Sequence, residues 1–362
     1  MSRPPPLPIP PSEGASPAMA QWFGLKERHP DALLFFRMGD FYELFFADAE
    51  AAAAALDIAL TARGTHGGQP IPMCGVPVHA AQSYLARLIR RGFRVAVAEQ
   101  TEPSRKPGSG GGKAPLARDV VRLVTAGTLF EDELLDAGRP NLLLALHAPA
   151  GRGAGRAGTA AAVGAAWIDV STGAFETALL DGPGAVSELL GRLEPAEILV
   201  SGAIALGEHE ARRGPDAAAP PPDAARARLA AGFGVASLDA FGAFSDPEAV
   251  AAAIVRDYAR DAQAGREPVL SRPVPGAATD RLGIDPATRT SLDLLRDRDG
   301  GTRHSLFGAV DRTVSGAGGR MLAGWIAAPL AVAAAIEERQ DSWEHLAARP
   351  DTGGTLRTVL RG

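Results

Sequence analysis

One stretch of twelve residues concentrates side chains with usable chemistry. Phe35-Phe36-Arg37-Met38-Gly39-Asp40-Phe41-Tyr42-Glu43-Leu44-Phe45-Phe46 holds six aromatic rings around a Gly-Asp turn. A helix starting near Tyr42 would bury Leu44 and Phe45 through their i, i+3, i+4 spacing, which makes most of these rings core. Phe41 differs because it falls on the turn, where a side chain tends to project outward. Glu43 follows two residues later.

Other apparent motifs do not carry chemistry. Gly153-Ala154-Gly155-Arg156-Ala157-Gly158 fits GxGxxG. It follows a strand pattern but precedes a second strand, whereas a dinucleotide site needs a helix there. Gly112-Lys113 ends like a phosphate-binding loop, yet Pro107 occupies the first glycine position and Ala114 replaces the Mg²⁺-holding hydroxyl. The chain therefore has no recognisable nucleotide site, and no catalytic residue is assigned. Seven scattered histidines and one cysteine, Cys74, form no metal-ligand spacing. No cofactor or metal is expected, and Cys74 reads as structural. Asp169, on a strand pattern, is a carboxylate that a nuclease could use; a single carboxylate is not a two-metal site.

Composition frames these elements. Hydrophobic residues make up 46% and charged residues 22% of 362 residues, so a folded chain of two or three domains is expected. The net charge is -5, but from Tyr84 to Ala126 nine Arg or Lys face three acids. That basic tract fits either a solvated helix face or a phosphate footprint. A single cysteine suits a reducing, cytoplasmic setting, and no stretch is apolar enough to span a bilayer. The Pro-rich residues 1–16 read as a disordered tail.

The hydrophobic pattern divides the rest into three blocks. Residues 17–135 read as a mixed α/β domain. The pattern predicts helices over 19–28, 41–56 and 83–91, strands over 32–37, 93–98 and 119–125, an extended connection over 71–78, and a loop over 103–115. Residues 141–272 read as an α/β domain with strands over 141–147, 161–170, 175–180 and 196–200. Its helices fall over 185–193 and 244–264, and an Ala/Pro linker covers 217–225. Residues 282–362 are helical in pattern over 286–296, 306–326 and 332–347. The fold class is a multidomain α/β chain followed by the beginning of an all-helical domain.

The twelve-residue stretch, with Ala32-Leu33-Leu34 before it, resembles the mismatch-binding motif of the MutS family. The likeness continues through Leu56–Thr61, Ile71–Pro77, Ser83–Ile89 and Val120–Thr128. It recurs at Ala166–Gly173, which is similar to the opening of the family's connector domain. Ser305–Gly308, Asp311–Thr313 and Gly318–Leu322 are similar to the start of its lever helices. Val78 and Ala98 depart from the family pattern outside the motif. The resemblance implies a mismatch-binding domain, an RNase H-like α/β connector and the beginning of a helical lever domain. The clamp, the ATPase domain with its ATP and Mg²⁺, and the dimerising helix-turn-helix would lie beyond Gly362. It also implies double-stranded DNA with mismatches or small loops as ligand, a MutL-type partner, and a homodimer in which one subunit engages the mismatch.

By the same resemblance, Phe41 wedges into the mispaired step from the minor groove while Glu43 contacts the mispaired base. Weakly stacked steps deform cheaply, so a wedge can find them without reading sequence. A carboxylate near phosphates would weaken binding to intact duplex. Met38, Arg63, Arg105, Lys106 and Arg118 are expected as further DNA contacts. Two competing expectations are an RNase H-like nuclease using Asp169 and an interaction module, built on the connector, that binds no DNA.

Overall fold

The computed structural model describes residues 7–101, 116–136, 139–149, 162–181, 184–276, 281–282, 284, 288 and 291–361. The chain divides into two compact units, Met1–Thr128 with Tyr258–Glu267, and Leu129–Asp257 with Pro268–Gly362.

The first unit begins with helix α1, Pro17–Arg28, whose start is set by Ser16: its Oγ accepts the Met19 N–H, and Pro17 supplies a pre-set first turn. Strand β1 (Leu33–Met38) turns directly into β2 (Phe41–Phe45), and helix α2 (Phe46–Leu56) follows. β3 (Thr61–His66), β4 (Gln69–Pro77), α3 (Ala81–Arg90), β5 (Val95–Gln100) and β6 (Arg118–Val124) complete it. The sheet order is β3-β4-β2-β1-β5-β6, with β1 and β5 parallel and the other pairs antiparallel.

Both sheet faces are covered. Trp22 and Phe23 of α1 pack with Leu34, Phe36 and Phe45 on one face. On the other, α2 lies on β2 and β4, and the buried Cys74 thiol donates to Ala49 O. Lys26 and Asp48 tie the layers together through an Nζ–Oδ1 contact of 2.8 Å. Asp48 Oδ2 also accepts the Leu34 N–H.

Several expectations for this unit change. A helix was expected from Phe41, but residues 41–45 form a strand and the helix starts at Phe46. Gly39 adopts φ +63 while Asp40 is not in the positive region, the pattern of a type II′ hairpin turn, which pairs the two aromatic strands before a helix can begin. Residues 71–78, expected as an extended or looped connection, are extended and fall within strand β4, Gln69–Pro77, up to its last residue. Pro70 and Pro72 are tolerated because β4 pairs with β2 only through residues 73–77. Residues 7–15, expected within a disordered tail, pack Ile9 and Ala15 on the α1 cluster, and Pro11 O contacts His66 Nε2 at 2.7 Å.

The second unit holds a sheet of order β11-β10-β7-β8-β9. β7 (Leu142–His147), β8 (Val163–Asp169) and β9 (Ala174–Leu180) form an antiparallel meander. β10 (Glu197–Ser201) adds in parallel to β7, and β11 (Arg213–Asp216) in parallel to β10. Helix α4 (Ala185–Leu193) packs Leu189 and Leu190 against Leu144, Trp167 and Ile198. α5 (Pro222–Gly232) begins inside the expected linker, with a proline in its first turn, and α6 (Asp246–Ala262) follows, its residues from Tyr258 onward belonging to the first unit. The single helix expected over 306–326 is two, α7 (Leu306–Val310) and α8 (Gly316–Ala327). Ser305 and Ser315 each accept the N–H three residues on, so each starts its own helix. α9 (Ala333–Ala347) and α10 (Pro350–Leu360) complete the described helices. Of the helix expected over 286–296, residues 286, 287, 289 and 290 lie outside the described residues, and residues 292–296 form turns and bends instead of a helix.

Candidate nucleic-acid interface

The β1–β2 hairpin carries the site. Strand alternation puts Phe41, Glu43 and Phe45 on the face that α1 covers, and Tyr42 and Leu44 on the opposite one. Cover reaches Phe45, which is buried against Trp22, but not the hairpin tip. Phe41 remains 47% exposed, while the other five aromatics of the twelve-residue stretch pack against ring neighbours.

Two networks stiffen the hairpin. On the Tyr42 face, the phenol donates to Glu99 Oε1, Arg37 Nη1 approaches Glu99 Oε2 at 3.4 Å, and the Arg37 guanidinium stands 5.6 Å from the Tyr42 ring centroid. Burial and Glu99 together push the Tyr42 phenol up to about 12. On the Phe41 face, Arg118 donates to Arg37 O at 2.7 Å, Leu116 O at 2.8 Å and Met38 Sδ at 3.3 Å, and it covers the Phe36 ring at 4.8 Å.

Glu43 is almost buried, with 8% of the residue exposed. Its Cα partners are Phe36 on β1 and Gly75 on β4. Gly75 lies beside both side chains: a Cβ there would stand 3.7 Å from the Phe41 ring and 3.9 Å from Glu43 Cγ. Arg63 on the edge strand β3 donates Nη1 to Glu43 Oε1, and Glu43 Oε2 is buried and accepts nothing from the described residues. Burial raises the Glu43 carboxyl above its ordinary range, and Arg63 and then Arg118 oppose that rise.

The structure brings Phe41, Glu43, Met38, Arg63 and Arg118 together at one end of the sheet. Arg105 and Lys106 lie outside the described residues. The basic tract is less of a surface than its charge count suggests. Arg94 is buried and paired with Asp31, Arg87 caps Leu56 O at the end of α2, and burial brings Arg122 down to about 10. Arg90 and Arg91 are exposed. Sequence reading did not find Arg37, Gly75 or Glu99, which join the site only through strand register.

Asp169 sits in a closed setting. Oδ1 accepts Ser171 N, Ser171 Oγ and Thr172 N at 2.9, 2.5 and 3.3 Å, and Oδ2 accepts Asn141 N at 3.0 Å. Arg320 donates to Ser171 Oγ at 2.8 Å. Among the described residues no three His, Cys, Asp or Glu are grouped to hold a metal, and no helix is long and apolar enough to cross a membrane.

Fold and site define a multidomain α/β chain whose first unit presents one bare aromatic ring beside a nearly buried carboxylate on a stiff hairpin. Residues 16–133 match the family described as MutS domain I, residues 141–271 MutS domain II, and residues 287–362 MutS domain III. A protein named DNA mismatch repair protein MutS from Granulibacter bethesdensis is 56% identical over 349 residues, covering 96% of this chain and 36% of that relative. Proteins of the same name from Paracoccus denitrificans and Caulobacter vibrioides are each 45% identical, over 96% of this chain and 39% and 38% of their own lengths. The chain belongs to the MutS family, and it spans less than two-fifths of these curated relatives.

Proposed function

We propose that this chain carries the mismatch-reading part of a DNA mismatch repair protein, with Phe41 as the wedge and Glu43 as the residue that meets the mispaired base. The observation that carries the reading is the Phe41 ring, left 47% exposed at the tip of a hairpin whose other rings are packed. A stiff backbone matters because a wedge that yields cannot transmit bending force to DNA. A mispaired step gives way more cheaply than a paired one, so the same ring inserts there selectively. Stacking on the exposed base returns about 1–3 kcal/mol.

Glu43 supplies the second half of the discrimination. Among the described residues its carboxyl is held by one donor, Arg63 on Oε1, and the edge of a mispaired base can supply a donor in its place. On intact duplex no base donor reaches the carboxyl, which then contributes nothing to binding and holds a cation that a phosphate could otherwise use. Sequence-independent grip comes from cations on the same face. A second subunit, a MutL-type partner and ATP-driven steps belong to the same reading as what the family resemblance implies for the longer protein.

The test is competition between mismatched and matched duplexes of one sequence. Phe41→Ala is expected to abolish the preference, and a variant that still discriminates normally overturns the wedge.

A further inference from the structure

Arg63 stands in a position that the wedge reading does not use. It lies on edge strand β3, between Ala62 and Thr65, where the register with β4 shifts. Such irregularities re-aim side chains, and this one accompanies a guanidinium that reaches Glu43, two strands away in the sheet order. The two partners differ in access: the Arg63 side chain is 51% exposed, the Glu43 side chain 11%. Glu43 is held inside and Arg63 is free to change partner.

The neighbouring cation cannot do the same. Arg118 donates to two backbone carbonyls and to Met38 sulfur while covering Phe36. Releasing it would dismantle the hairpin support. Among the described cations whose field reaches Glu43, Arg63 is therefore the one whose protein contact is a single side-chain carboxylate.

We propose that Arg63 is a specificity-determining positioning residue whose guanidinium exchanges between Glu43 and a DNA phosphate, according to whether Glu43 has found a mispaired base. The inference rests on the proposed wedge reading. On intact duplex Glu43 gains no donor from the bases and keeps Arg63, so one phosphate contact is not made. At a mispaired step a base edge takes the place of Arg63 at Oε1, the oxygen the guanidinium holds, and the released charge moves to the backbone. Base reading is thereby converted into phosphate grip, and no bond is made or broken beyond hydrogen bonds and ion pairs.

The exchange has a signature in salt dependence. Each phosphate neutralised on duplex DNA steepens the plot of log K against log salt concentration by about 0.9. Binding of the protein to a mismatched and a matched duplex of one sequence, titrated across salt, should give a slope steeper by about 0.9 on the mismatched one. In Arg63→Gln the two slopes should coincide at the shallow value, and mismatched binding should weaken more than matched binding. In Glu43→Gln they should coincide at the steep value, with matched binding tightened. Equal slopes for the unaltered protein, or an undiminished slope difference in Arg63→Gln, overturn the exchange. Phe41→Ala in the same titration separates the two ideas. If it retains full mismatch preference, the wedge reading itself fails. If it loses preference while Arg63→Gln keeps the slope difference, only the exchange fails.

Discussion

Phe41 and Tyr42 are consecutive in β2 and face opposite ways, one 47% exposed and the other 7%. The Phe41 ring is left about half-exposed, whereas Tyr42 packs on Phe35 at 5.6 Å and donates to Glu99. Under the proposed reading, recognition and stability fall on adjacent residues because strand alternation turns their side chains to opposite faces.

That separation predicts a double dissociation. Phe41→Ala should change unfolding stability by no more than about 0.5 kcal/mol, as for surface positions, while removing roughly a five- to hundredfold preference for mismatched duplex, the equivalent of about 1–3 kcal/mol of stacking. Tyr42→Phe should do the reverse. Losing the hydrogen bond to Glu99 should cost about 1 kcal/mol, with duplex preference retained. Urea unfolding and competition binding on the same two variants check both halves.

Glu43 predicts a pH dependence of folding. Burial raises its carboxyl in the folded state, with Arg63 pulling it back only in part. A raised folded-state value means that the folded chain holds this proton more tightly than the unfolded chain. The stabilisation is complete below the unfolded carboxylate range and is lost as pH rises through the folded value. Glu43→Gln mimics the protonated form. It should therefore stabilise the first unit at neutral pH, and the gain should shrink on acidification. Chemical denaturation at neutral and mildly acidic pH measures the difference; a gain that grows toward acid contradicts the burial argument.

Lys26 and Asp48 give the stability counterpart. Their side chains are 2% and 1% exposed, and Lys26 Nζ also donates to Ala32 O at 2.6 Å. Lys26→Met strands a buried carboxylate and should cost about 3–5 kcal/mol. Burial already raises the Asp48 carboxyl against the pull of Lys26. Without that pull it rises further, so the loss should be greater at neutral than at acidic pH. Unfolding of the variant across that range tests it.

How much of this was legible in the sequence varies by residue. The Gly39-Asp40 turn and the outward position of Phe41 followed from local chemistry, since a Gly-containing two-residue turn between aromatic runs has few alternatives. The strand over 41–45 did not. Four apolar residues and Glu43 running into an alanine-rich helix carry no period that separates strand from helix, and only pairing with β1 and β4 decides it. The Arg63–Glu43 pair was also hidden, because the two residues are 20 positions apart and meet through sheet order. Arg63 and Arg118 both looked like phosphate ligands by charge. Structure distinguishes them through what each already holds, which charge patterning does not encode.

Asp169 offers the sharpest contrast between a catalytic and a structural carboxylate. Four donors from Asn141, Ser171 and Thr172 converge on its two oxygens, and the residue is 2% exposed. These bonds close the turn after β8 and fix the segment leading into β7. Asp169→Asn replaces one accepting oxygen by a donor, which must then face either Asn141 N–H or the Ser171 and Thr172 donors. One side of the cluster is left unsatisfied, at a cost of about 1–3 kcal/mol. The expected outcome is a lower midpoint in urea for the unfolding of the second unit, with mismatch preference unchanged. A metal-dependent DNA cleavage activity present in the unaltered protein and lost in Asp169→Asn would reverse the assignment, because hydrogen bonds that only close a turn have no cleavage step to support.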